Sequence, residues 1–120
     1  MKILVVDDDK PTYSVISLAL SKRFEVTVAE NGQKAIDLVS KELFALILLD
    51  INFGKPPNGI EVAKIIRKFK HYKNVPIIAV TDYAMEGDKE EILSQGFSDY
   101  ISKPFSLIKL NDLVDKYLCT

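Results

Sequence analysis

Apolar residues run along this chain in two rhythms. Ile3-Leu4-Val5-Val6, Phe44-Ala45-Leu46-Ile47-Leu48-Leu49 and Ile77-Ile78-Ala79-Val80 are unbroken by polar residues. Such a run is apolar on both faces, which suits a strand inside a parallel sheet covered by helices on each side. Phe24 to Ala29 alternates around Glu25 and Thr27 and reads as a strand nearer the edge. Phe97 to Ser102 supplies a fifth strand.

Between the strands the spacing becomes helical. Asp9 or Lys10 can cap a first helix, Pro11 is tolerated in its first turn, and Val15, Ile16, Leu18, Ala19 and Leu20 form its apolar face. After a turn at Asn31-Gly32, Gln33 to Lys41 carries Ala35, Ile36, Leu38 and Val39. Gly59 opens a third helix with Ile60, Val62, Ala63, Ile65, Ile66 and Phe69 apolar. Its far end is basic, from Arg67 to Lys73, and reads as a cationic helix terminus favoured by the dipole rather than a nucleic-acid patch, with His71 a solvated residue beyond it. Glu86 to Gln95 forms a fourth helix, stopped by Gly96, in which Ile92, Leu93 and the nearby Met85 read as packing residues. Ser106 caps the last, with Leu107, Leu110, Leu113, Val114, Tyr117 and Leu118 at helical spacing.

Strict strand–helix alternation predicts an α/β fold with a mostly parallel five-stranded sheet, five helices on its two faces and right-handed crossovers. The 120 residues fit a single domain spanning 1–120, with no internal repeat or linker. Hydrophobic content of 48% against 28% charged suits a globular protein, and a net charge of −1 gives no global field toward nucleic acid or membrane. Cys119 is the lone cysteine and forms no internal disulfide, which suits a reducing compartment. The chain opens on a strand too short for a signal peptide or membrane span, so a cytoplasmic location is expected.

The polar residues stand where the apolar runs stop. The strands end in Asp7-Asp8, Asp50, Thr81 and Lys103. In a parallel sheet of order 2-1-3-4-5 these ends share one rim, and the ligand crevice opens beside the first and third strands. Three carboxylates crowded there repel one another and require a cation. An all-oxygen set suits Mg²⁺, whereas His71 and Cys119 lie off the rim and argue against zinc. A carboxylate beside a divalent ion, a hydroxyl and an ammonium is a layout for phosphoryl transfer, with Asp50 as acceptor and Lys103 and Thr81 binding phosphoryl oxygens.

Ile3-Leu4-Val5-Val6-Asp7-Asp8-Asp9, Leu48-Leu49-Asp50, Ala79-Val80-Thr81 and Ser102-Lys103-Pro104-Phe105, in that order, resemble a response-regulator receiver domain over essentially the whole chain. The resemblance implies a flavodoxin-like doubly wound fold. It implies that Asp50 accepts phosphate from a histidine kinase or histidine phosphotransfer protein. Asp8, Asp50 and the Asn52 backbone carbonyl would contact Mg²⁺, with Asp7 acting through water. Lys103-Pro104 would be cis, and Thr81 and Tyr100 would form the switch. Phosphorylation would alter the surface of the fourth helix, fifth strand and fifth helix, which would bind a downstream effector protein or a second copy in a dimer. The domain would be no enzyme beyond its own phosphorylation and dephosphorylation. No DNA-binding segment is seen after the last helix, so output would pass through protein contacts.

Several positions depart from that pattern. Gly54 stands where a proline is usual, Pro56-Pro57 follow, and Gly59 comes one residue late. Asp82 replaces a small residue after Thr81 and is expected to point outward. Tyr83 is expected to lie over the site and slow the loss of phosphate. Three other readings compete. A receiver-like module binding partners without phosphorylation is one. A haloacid-dehalogenase-type phosphatase would need Asp-x-Asp-x-Thr, and here Pro11 occupies the threonine position. A flavin binder would place phosphate where Asp7-Asp8-Asp9 repel it.

Overall fold

The computed structural model describes residues 1–51, 56–82 and 86–118, and for 86–89 the backbone alone. Strands and helices alternate as β1 (Lys2–Val6), α1 (Lys10–Leu20), β2 (Glu25–Ala29), α2 (Gly32–Lys41), β3 (Leu46–Asp50), α3 (Gly59–Arg67), β4 (Ile77–Thr81), α4 (Glu86–Ser94), β5 (Asp99–Ser102) and α5 (Leu107–Leu118). One turn of 3-10 helix, Lys70–Tyr72, joins α3 to β4. All strand pairs are parallel, in the order β2-β1-β3-β4-β5. Val6 is in register with Ala29 and Leu49, Asp50 with Val80, and Thr81 with Ser102. The strands therefore finish on a common rim, as the alternation of elements requires.

The unbroken apolar runs become two cores, because successive strand residues face opposite sides of a sheet. Ile3, Val5, Leu46, Leu48, Ile78 and Val80 pack under α1 and α5 with Ile16, Leu20, Leu110 and Val114. Leu4, Val6, Ile47, Leu49, Ile77 and Ala79 pack on the other face with Val39, Val62, Ile66 and Ile92. The edge strand β2 keeps Val26 and Val28 only half-buried, consistent with its alternating sequence.

Local sequence fixes the helix starts. The Asp9 side chain accepts the Thr12 N–H, and Asn31 does the same for Lys34. Asn58 and Glu61 form a reciprocal capping box at α3, and Ser106 Oγ accepts the Lys109 N–H at 3.0 Å to cap α5. Gly96, with φ of 101°, ends α4 in the left-handed region that glycine tolerates best. No described helix is long and apolar enough to cross a membrane.

The structure changes two expectations about helix faces. On α1 only Ile16 and Leu20 are buried, while Val15 and Leu18 are 49% and 72% exposed. Leu107 is likewise exposed on α5. Five apolar residues are more than one helix stripe can hide, so some must face outward. Arg67, in the basic last turn of α3, turns inward. Its guanidinium is half-buried and donates to the carbonyls of Gly96 (2.9 Å), Tyr72 (2.7 Å) and Val75 (2.6 Å) and to Ser98 Oγ (3.2 Å). His71 is exposed, as expected, and stacks edge-on against Tyr72.

Candidate functional site

The rim formed by β1, β3, β4 and β5 gathers the polar strand ends. Carboxylate oxygens of Asp7, Asp8 and Asp50 all lie within 4.8 Å of one another. Asp7 and Asp50 are buried, and Asp8 is exposed at the mouth. The backbone holds them there through hydrogen bonds that continue the sheet beyond each strand. The Asp7 N–H donates to Ala29 O at 3.1 Å, and the Ile51 N–H donates to Val80 O at 3.1 Å. Thr81 is buried at the end of β4, and its carbonyl accepts the Lys103 N–H at 2.8 Å. That bond binds the ends of β4 and β5 together. The Lys103–Pro104 bond that follows is cis, as expected.

Lys103 reaches back over the acids. Its ammonium lies 3.6 Å from Asp50 Oδ2 and 3.7 Å from Asp7 Oδ2. Burial draws its pKa down, but the charges of Asp50, Asp7 and Asp82 outweigh that and hold it above its ordinary value. Lys103 thus stays cationic. Asp7 behaves oppositely: burial pushes its carboxyl above the ordinary 3.8, and the Asp9 N–H and Lys103 only partly offset this. Asp7 Oδ1 accepts the Asp9 N–H at 2.8 Å, while Oδ2 is buried with no hydrogen bond. A buried carboxylate oxygen without a donor, facing two other carboxylates, fits a hard divalent cation.

Metal-free stability should reveal that strain. The folded state holds the Asp7 proton more tightly than the unfolded chain does. Stability from this group is therefore present at low pH and is lost as pH rises from its unfolded value through its folded one. Asp7→Asn cannot ionise and escapes that loss. In chelator-treated protein we expect Asp7→Asn to exceed wild type in stability by roughly 1 kcal/mol at pH 7. The gap should shrink toward pH 4, as read by thermal unfolding of both proteins across that range.

Tyr100 is half-buried on β5 and packs in the layer that also holds Ile92 of α4 and Phe97. Thr81 and Tyr100 lie on the same sheet face, since Tyr100 is in register with Ala79, two residues before Thr81. Asp82 is exposed, as expected, yet it lines a cavity of about 460 Å³ together with Lys103, Pro11, Val15, Pro104 and Phe105. Asn52, Tyr83, Met85 and Cys119 lie outside the described residues.

Gly59, noted in the sequence only as a helix start coming one residue late after Asp50, belongs to the site's framework. A Cβ there would stand 2.2 Å from Asp50 O and 2.6 Å from Ile51 Cα, so α3 docks directly on the backbone of the acceptor strand. The Gly59 N–H donates to Ile51 O at 3.2 Å.

The sheet order and the acid-lined rim with its lysine define a class, and known proteins agree. The family model for the response regulator receiver domain matches residues 3–115. The chain belongs to that family. It is a phosphoacceptor domain of two-component signalling, of a family that catalyses its own phosphorylation and dephosphorylation. It is 33% identical over 118 residues, 98% of its length, to the signal transduction histidine-protein kinase BarA of Escherichia coli, but spans only 13% of that relative. Among solved structures it resembles the receiver domain of a sensor histidine kinase from Pseudomonas aeruginosa with a magnesium ion coordinated in the active site cleft. There the TM-score is 0.89 and identity 29%, covering 99% of this chain and 98% of that one. It also resembles a receiver domain of Saccharomyces cerevisiae co-crystallised with a histidine phosphotransfer signaling protein. In that case the TM-score is 0.89 and identity 28%, covering 99% and 89%.

Proposed function

We propose that Asp50 is the residue that accepts the phosphoryl group, from a phosphohistidine on a histidine kinase or histidine phosphotransfer protein. The observation that carries this is the convergence of Asp7, Asp8 and Asp50 within 4.8 Å, with the Lys103 ammonium 3.6 Å from Asp50 Oδ2. Asp8, Asp50 and the Asn52 carbonyl would hold Mg²⁺, with Asp7 acting through water. The ion supplies neutralisation of phosphoryl charge. Asp50 provides the attacking oxygen, and burial keeps bulk water from competing with it. Lys103 meets a phosphoryl oxygen, and Thr81 donates a hydrogen bond to another.

Output follows from where Thr81 and Tyr100 sit. A Thr81 hydroxyl drawn toward the phosphoryl group leaves space on the sheet face where Tyr100 packs. Phosphorylation then biases two arrangements of the α4–β5–α5 surface. That surface would bind a downstream effector protein, or a second copy in a dimer. The domain would span 1–120, act in the cytoplasm, and reach neither nucleic acid nor membrane directly.

The test uses the full chain with Mg²⁺ and acetyl phosphate. Wild type should gain one acid-stable, base-labile phosphoryl group, and Asp50→Asn should gain none. Equal labelling of the Asn variant would move the acceptor elsewhere.

A further inference from the structure

β5 is an edge strand, so among the described strands one side of its backbone has no neighbour. Unpaired N–H and C=O groups on such an edge are a template for pairing with another chain. The Lys103 N–H bonds inward to Thr81 O, and backbone groups alternate along a strand, so the Tyr100 N–H turns to the open side. A cavity of about 390 Å³ lies between β5 and α5, lined by Asp99 to Ser102 and by Lys109, Leu113 and Lys116.

The groups that an added strand would need are already engaged. The Tyr100 N–H donates to Asp99 Oδ1 at 2.8 Å. The Tyr117 hydroxyl shares its proton between the Ser98 carbonyl, 3.1 Å away, and Asp99 Oδ2, 2.9 Å away. Lys116 Nζ donates to the same Asp99 oxygen at 3.3 Å and stands over the Tyr117 ring, 5.5 Å from its centroid. Burial, then the hydrogen bond and charge of Asp99, push Tyr117 up to about 12, so its hydroxyl keeps the proton it donates. Burial raises the Asp99 carboxyl, but the Tyr100 N–H, Tyr117 and Lys116 outweigh it and hold the group below its ordinary value. The acceptor therefore stays ionised.

We propose that Asp99, Tyr117 and Lys116 form a lock that closes the β5 edge against strand pairing with a second copy of this chain. Two copies related by a two-fold axis would lay β5 against β5 antiparallel. That ladder takes the Tyr100 N–H and the Ser98 carbonyl of both copies. Each must first leave its present partner, and the Asp99 carboxylate would then be covered with its donors gone, which is costly. A second copy can still meet the α4–β5–α5 surface through side chains, and such a contact remains reversible. The lock holds whichever acid accepts phosphate.

Amide exchange by NMR and sedimentation test this on the full chain without a phosphodonor. In wild type the Tyr100 amide should exchange roughly tenfold or more slower than an unprotected amide, although it faces no strand. Asp99→Ala should remove that protection and leave the Ile101 amide, which faces β4, as slow as before. Asp99→Asn keeps an oxygen for the Tyr100 N–H and should keep the protection. Asp99→Ala combined with Tyr117→Phe frees both edge groups. It should self-associate about tenfold more tightly than wild type or more, with the Tyr100 amide protected again in the dimer. A wild-type Tyr100 amide as fast as an exposed one would overturn the inference, and so would equal Tyr100 exchange in wild type and Asp99→Ala. Those two measurements decide even where the double variant fails to fold. A folded double variant that associates no more than wild type would overturn it as well.

Discussion

Arg67→Ala is expected to destabilise the domain by about 3 kcal/mol while leaving phosphorylation of the surviving folded protein intact. Arg67 joins three segments that no ladder connects: the 3-10 turn through Tyr72 O, the approach to β4 through Val75 O, and the end of α4 through Gly96 O. Its fourth acceptor, Ser98 Oγ, itself accepts the Ile77 N–H at 3.2 Å, so the guanidinium also steadies the start of β4. Charged donors to carbonyls are worth more than neutral ones, and removing them strands three partly buried acceptors. Water can reach some of these, which keeps the cost near 3 rather than 5 kcal/mol. Arg67→Lys should recover less than half, because an ammonium cannot fork toward four acceptors at once. Denaturant unfolding of the three proteins measures the order. Labelling with acetyl phosphate well below the unfolding midpoint checks the second half. Arg67 sits at the N-terminal ends of β4 and β5, across the sheet from Asp50, so it supports the fold and not the chemistry.

That separation explains which features the sequence disclosed. Asp7, Asp50 and Thr81 were legible because each ends an apolar run, and Lys103 because it ends the fifth strand; a parallel sheet puts all such ends on one rim. The strand order was legible for the same reason, since alternation of elements leaves few topologies. Arg67 was not, because it stands in a basic run with Lys68, Lys70, His71 and Lys73, and only the fold decides which of them turns inward. Its acceptors come from three later points in the chain, and periodicity carries no information about them. Tyr72 was opaque in the same way. Its buried hydroxyl donates to Glu42 O at 2.6 Å and accepts the Phe44 N–H at 3.0 Å, tying the approach to β3 to that to β4. The outward faces of Val15 and Leu18 were hidden too, because an apolar count does not say how wide a stripe the sheet can cover. Tyr100 was readable as a strand aromatic, but its layer is set by register with Ala79.

Gly59→Ala should damage fold and site together. Alanine is the better helix former, worth up to about 1 kcal/mol at an unhindered interior position. Here the added methyl would meet Asp50 O at 2.2 Å and Ile51 Cα at 2.6 Å, both backbone atoms that cannot swing aside. Overpacking of that kind costs about 3 kcal/mol, so the net loss is roughly 2 kcal/mol and the midpoint falls by about 8 °C. The strand end can relieve the contact only by moving, and Asp50 belongs to that strand end. An acid displaced from its two neighbours binds a shared cation less well. Mg²⁺ should therefore raise the melting temperature of Gly59→Ala less than that of wild type at equal concentration. Labelling by acetyl phosphate should slow by tenfold or more, since phosphoryl transfer depends on position more than on any single group. Thermal unfolding with and without Mg²⁺, together with labelling kinetics below the midpoint, separates the two effects. A variant that lost stability but kept the full Mg²⁺ shift would mean that α3 yields instead, and that the acceptor strand keeps its place between β1 and β4.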